Sequence, residues 1–163
     1  MHRRLVAPLA ALALLVSVVL SACGGGGGTP LSRADFTDLA NKACKNLTKA
    51  NDDLMTAEGE AVTGKELTKR FAAAADGLAA FADELGEPEP PSIIASQVGK
   101  LVDDVSTYSD LLRDLGNRAK PNQDYQELQH AHQPLVMRLN DIAGRTTTLI
   151  AELQFGGCLP RVP

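Results

Sequence analysis

The chain has 163 residues, with 16 Lys and Arg against 20 Asp and Glu and a formal charge of −4. It holds no Lys/Arg cluster that could follow a phosphate backbone, which argues against nucleic acid as a partner. Zero Trp and only two Tyr argue against a stacking platform for sugars or bases.

The amino terminus carries His2, Arg3 and Arg4, followed by an apolar run from Leu5 to Leu20. A basic start, an apolar middle and small residues before a cut site form the pattern of a secretory signal. The run is shorter than the ~20 residues of a bilayer-spanning helix, and glycines follow it in place of a basic stop-transfer cluster. Arg3-Arg4 leaves a twin-arginine route open beside the general one.

Within this segment "LSAC" (Leu20, Ser21, Ala22, Cys23) resembles the lipobox of bacterial lipoproteins. The resemblance implies cleavage before Cys23 and a diacylglyceryl group on its sulfur, with acylation of the new amino group left open. Two or more acyl chains, at ~0.8 kcal/mol per buried CH₂, hold a protein on a membrane stably. Removing residues 1–22 takes away Arg3 and Arg4 and no acid, so the formal charge moves from −4 to −6. Attraction to anionic lipid heads is then unsupported, and the lipid must supply the anchoring.

Once Cys23 is assigned to lipid through this resemblance, Cys44 and Cys158 remain as a pair for an oxidising compartment, with free buried thiols as the alternative. The chain divides into a signal over 1–22, a lipidated cysteine and tether over 23–31, and a helical domain over 32–163. Gly24 to Gly28 cannot pack a core and serve as a leash.

Order is expected from "LSRADF". Ser32 can cap a helix with Asp35 three residues on, and Leu31 and Phe36 stand at staple positions. Phe36, Leu39, Ala43, Leu47, Ala50 and Leu54 recur in steps of three and four, predicting a first helix over 33–56. "TGKE" predicts the second, with Thr63 as cap and Glu66 closing a capping box. Leu67, Phe71, Ala74, Leu78, Phe81 or Ala82, and Leu85 form its stripe, and Gly86 ends it. Pro88, Pro90 and Pro91 then break the chain.

The third helix has the cleanest period: Ile94, Val98, Leu101, Val105, Tyr108, Leu112 and Leu115. The fourth is predicted as one helix over 123–155. Tyr125, Leu128, His132, Leu135, Leu139, Ile142, Thr146, Leu149 and Leu153 lie on one side, with a kink at Pro134. No segment alternates as a strand does. The expected fold is therefore all-α, a four-helix up-down-up-down bundle with one disulfide. Cys44 lies ~16 Å up the first helix at 1.5 Å per residue, so its pairing with Cys158 needs an overhang or a "GGC" segment that turns back.

Catalytic chemistry finds no complete set. "ELQH" (Glu127, His130) has the spacing of di-iron bundles, but that site needs a second such motif and further carboxylates. Only His130 and His132 remain beyond the signal. His132 is expected on the core-facing seam, either bonded to a carbonyl freed by Pro134 or contacting a ligand inside a bundle cavity. Ser106, Ser109 and Thr146-Thr147-Thr148 have no nearby histidine, and helix hydroxyls usually face solvent or bond back to the chain. Asp52-Asp53 and Asp103-Asp104 are adjacent and diverge on a helix. No metal site and no cofactor is expected.

The chain also resembles the small helical lipoproteins of high-GC Gram-positive bacteria, through "FTDLANKAC", Pro90-Pro91 and "GGCLP". That resemblance implies a Cys44–Cys158-stapled helical domain outside the membrane and transfers no catalytic residues. The expected function is a non-enzymatic binding or interaction module, lipid-anchored through Cys23 on the extracytoplasmic face of the cell membrane, with an envelope protein as a candidate partner. The alternatives are a structural or accessory envelope subunit, or a small-molecule sensor using a cavity near His132.

Overall fold

The computed structural model describes residues 30–59 and 64–158. The expected signal segment, Cys23, the expected glycine tether, the Asp53 and Leu54 side chains and Thr63 lie outside the described residues. The described residues form five α-helices: α1 (Arg33–Gly59), α2 (Gly64–Gly86), α3 (Ala95–Asn117), α4 (Tyr125–Ala131) and α5 (Gln133–Leu153). A short 3₁₀ turn, Gly156–Cys158, follows. No strand occurs among the described residues, and none of their helices is long and apolar enough to cross a membrane.

Helix α1 starts where its cap is expected. Ser32 Oγ accepts from the Asp35 N–H at 3.2 Å and donates to the Asp35 carboxylate at 2.6 Å. Phe36, Ala40, Ala43, Cys44 and Ala50 are buried, whereas Leu39 and Leu47 are half-buried at the edges of the stripe. Helix α2 begins at Gly64, whose positive φ of 57° only glycine adopts without strain. A Cβ there would also run into the Pro121 carbonyl. Glu66 accepts from the Arg70 guanidinium at 3.3 Å, and the capping box expected between Thr63 and Glu66 lies outside the described residues.

The strict period of α3 converts directly into burial. Ile94, Val98, Leu101, Val105, Leu112 and Leu115 are all in the core, and Tyr108 is half-buried. Across α2 and α3, Thr68 Oγ1 donates to the Gly116 carbonyl at 2.9 Å and Ser109 Oγ to the Ala75 carbonyl at 2.8 Å. Ser109 thus bonds to a neighbouring helix, where bonding back or facing solvent was expected. Asn46 ties α1 to Glu84 of α2 at 2.8 Å. Arg145 ties α5 to Asp104 of α3 through two bonds of 2.7 and 3.1 Å.

The expected single fourth helix is two helices. His132 leaves helical geometry at φ −123°, ψ 34°, and Pro134 sits in the first turn of α5. Proline has no N–H to give an earlier carbonyl and crowds the preceding turn, but it is well suited to a helix's first turn. The chain therefore restarts where a kink was expected. The junction is held by backbone: the His132 N–H reaches the Leu128 and Gln129 carbonyls, and its own carbonyl accepts from Leu135 at 2.9 Å and Val136 at 3.1 Å. Helix α4 opens with a reciprocal capping box. Asp124 Oδ1 accepts from the Glu127 N–H at 2.8 Å, and Glu127 Oε2 from the Asp124 N–H at 3.2 Å.

The return to Cys44 is made by the glycine-bearing turn. Gln154 adopts a left-handed conformation (φ 62°, ψ 35°) that ends α5. Phe155 is then fully buried, its ring centroid 6.2 Å from that of Phe36. The 3₁₀ turn lies back along α1, where Gly157 donates its N–H to Asn41 Oδ1 at 3.0 Å. Cys158 is bonded to Cys44 across a separation of 114 residues, with Cα atoms 4.8 Å apart. In the chain-entropy model a loop of this order contributes roughly 4.7 kcal/mol.

Candidate functional site

Close packing joins α1 to α2, α2 to α3, α3 to α5, and α1 to the 3₁₀ turn. Helices α1 and α5 are not among these closely packed pairs. Both present short side chains toward each other, and the 3₁₀ turn with its disulfide is wedged between them at one end. The result is a cleft of about 230 Å³.

One wall of the cleft is Leu47, Thr48, Ala50 and Asn51 of α1; the other is Ala143, Thr146, Thr147 and Ile150 of α5. Leu78 of α2 with Val105 and Tyr108 of α3 form its floor, and Cys158 closes one end. Among the described residues, no charged side chain lines it. The rim threonines are already satisfied: Thr48 donates to the Cys44 carbonyl at 3.0 Å and Thr147 to the Ala143 carbonyl at 2.9 Å. Their hydroxyls are spent on the backbone, as expected for threonine on a helix.

Two hydroxyls behave differently. Thr146 is 9% exposed, and its Oγ1 is sealed from solvent without a hydrogen-bond partner. A buried polar atom left unpaired costs about 1–3 kcal/mol, so this one is conspicuous in an otherwise satisfied interior. Tyr108 is half-buried, and its hydroxyl makes no hydrogen bond to the described residues. Burial pushes its phenol above the ordinary tyrosine value of 10.0, which keeps it a neutral donor and acceptor.

Tyr108 lies toward one end. Arg145–Asp104 and Gln97–Glu152 contacts show that α3 and α5 run in opposite senses. Tyr108, one turn beyond Asp104, therefore stands on the side of Arg145 away from Cys158, as do Ala143 and the Asn51 end of α1. The disulfide end, with Leu47 and Ile150, is apolar.

The histidines lie elsewhere. His132 is half-buried in a shallow surface groove with Leu111, Asp114, Arg118 and Arg138, outside the cleft. The expected bond from its ring to a freed carbonyl is not made; the backbone of the same residue does that bridging. His130 is exposed, and Glu127 is engaged in its capping box. No group of three or more His, Cys, Asp or Glu converges among the described residues. Asp103 is exposed while Asp104 turns to Arg145, whose guanidinium that hydrogen bond holds above its ordinary value.

In the sequence Tyr108 and Thr146 stand at stripe positions that carry no assigned role. The available signal was a threonine and a tyrosine at seam positions otherwise filled by aliphatic residues. The site thus belongs to an all-helical, disulfide-stapled protein whose core opens along one helix–helix seam. Family models, curated proteins and solved structures give no match to this chain.

Proposed function

We propose that the protein is a lipid-anchored, non-enzymatic binding domain of the cell envelope. Its helical domain is a four-helix up-down-up-down bundle, with α4 as a short prelude to the last helix, opened along the α1–α5 seam to admit a small apolar ligand. The cleft carries this reading. Its walls are mostly aliphatic, the disulfide-bonded Cys158 stands at one end, and Thr146 at its edge carries a buried hydroxyl without a hydrogen-bond partner. The anchor rests on "LSAC" and the glycines that follow it. Eight residues from Gly24 to Leu31 give a reach of roughly 15 Å, which keeps the domain on the outer face of the membrane.

The binding part is tested with benzene as a minimal apolar probe, followed by amide chemical shifts. The expected shifts cluster at Leu47, Ala50, Val105 and Ile150 and vanish in Ala143→Met, which fills the cleft. Shifts scattered over the surface, or unchanged in that variant, would leave a purely structural envelope subunit as the better reading. The anchor is tested separately by fractionating cells that express Cys23→Ser, which should move the protein from the membrane to a soluble fraction.

A further inference from the structure

Resting on the reading of the cleft as a binding site, we infer that its ligand is a neutral amphiphile of about nine non-hydrogen atoms, held by Tyr108 and Thr146 through one hydroxyl or carbonyl group.

Size follows from volume. A cavity of about 150 Å³ takes benzene, so about 230 Å³ takes roughly half as much again. Neutrality follows from the lining: with no cationic or anionic side chain among the described residues of the walls, a buried charge on the ligand would go unpaired, at a cost well above that of a neutral group.

The hydrogen-bonding group follows from the two unpartnered hydroxyls. Thr48 and Thr147 show what threonine does on these helices when nothing else is offered: it bonds back four residues. Thr146 does not, and its oxygen is sealed while the residue still borders the cleft. Threonine in a helix divides between two χ1 rotamers. A change of rotamer moves Oγ1 from its sealed position, and because the residue borders the cleft a ligand there can take up the hydrogen bond that Oγ1 lacks. Tyr108 supplies a second donor from the floor without any rearrangement, and Asn51 borders the same end. The apolar tail then lies toward Leu47 and Ile150, against the disulfide.

The test compares three probes of one chain length: 1-octanol, n-octane and octanoate, titrated into the protein and followed by cleft amide shifts. Octanol is expected to bind roughly tenfold more tightly than octane, the worth of one net hydrogen bond, and octanoate more weakly than octanol. In the Tyr108→Phe/Thr146→Val double variant the preference for the alcohol should fall to within about threefold while octane binding is retained. Octane and octanol binding equally, octanoate binding as well as octanol, or an unchanged preference in the double variant would each overturn the inference while leaving an apolar binding cleft. Failure of all three probes, and of benzene, would remove the cleft as a site altogether.

Discussion

Gly157 donates its backbone N–H to Asn41 Oδ1 at 3.0 Å, and a Cβ on it would stand 3.1 Å from that oxygen and 3.3 Å from the Asn41 carbonyl. This close approach lets the chain reverse after α5 and bring Cys158 to Cys44. It also places the turn between α1 and α5, so a local backbone contact helps set the width of the cleft. Gly156, its neighbour, has open space where a Cβ would go.

Gly157→Ala should therefore destabilise the protein by about 1–2 kcal/mol, and Gly156→Ala should stay within about 0.5 kcal/mol of the parent. Denaturant unfolding of both variants checks the contrast. Equal effects would mean that the approach to Asn41 does not matter.

A second glycine contrast lies within the helices. A Cβ at Gly116 would meet the Phe71 Cβ at 2.5 Å, whereas nothing lies within 4 Å of one at Gly99 or Gly144. Gly116→Ala should cost about 1–3 kcal/mol through overpacking, despite alanine's better helix propensity. Gly99→Ala and Gly144→Ala should each stabilise by about 0.5–1 kcal/mol. Thermal melts of the three variants give the signs.

Thr146→Val removes a hydroxyl that has no partner and puts a methyl in its place. Substitutions of buried polar groups usually destabilise; this one should stabilise the ligand-free protein by about 1 kcal/mol. Ser109→Ala, which takes away a donor to the Ala75 carbonyl, should cost about 1 kcal/mol. Opposite signs for these two buried hydroxyls in urea unfolding are the expected outcome.

Tyr108 makes stability depend on pH at the alkaline end. Burial raises its phenol above 10.0, so above about pH 10 the unfolded chain gives up this proton more readily than the folded one. The unfolded state then binds fewer protons, and stability falls as pH rises. Below that range the group is neutral in both states and contributes no slope. The difference in unfolding free energy between parent and Tyr108→Phe should be flat from pH 7 to about 9.5 and should shift in favour of the variant above about pH 10. A flat difference throughout would contradict the burial of this phenol.

The parts of the fold that follow from periodicity could be read from the sequence. The 3-4 spacing from Ile94 to Leu115 names the buried face of α3 residue by residue, because one helix face is all that such spacing encodes. For the pairing of Cys158 with Cys44 the length of α1 leaves two routes, an overhang of that helix or a return of Gly156-Gly157 along it, and the chain takes the second. The break at His132 was not legible. Pro134 signals an interruption, but the same residue serves a kink within one helix and the first turn of a new one. The decisive cap at Asp124 belongs to α4, whose start was placed a residue or two early. The cleft was not legible either. Periodicity identifies which faces turn inward but not how far apart two inward faces stand. That distance depends on Ala50, Ala143 and the wedged turn together.

The reading of this molecule as a lipid-anchored envelope domain depends first on what happens at Cys23. Intact mass of the protein extracted from membranes and measured under denaturing conditions tests it most directly. The predicted mass is that of a chain beginning at Cys23, increased by a diacylglyceryl group and lowered by two mass units for the Cys44–Cys158 bond. A mass that retains residues 1–22, or one that shows an unmodified Cys23, would contradict it.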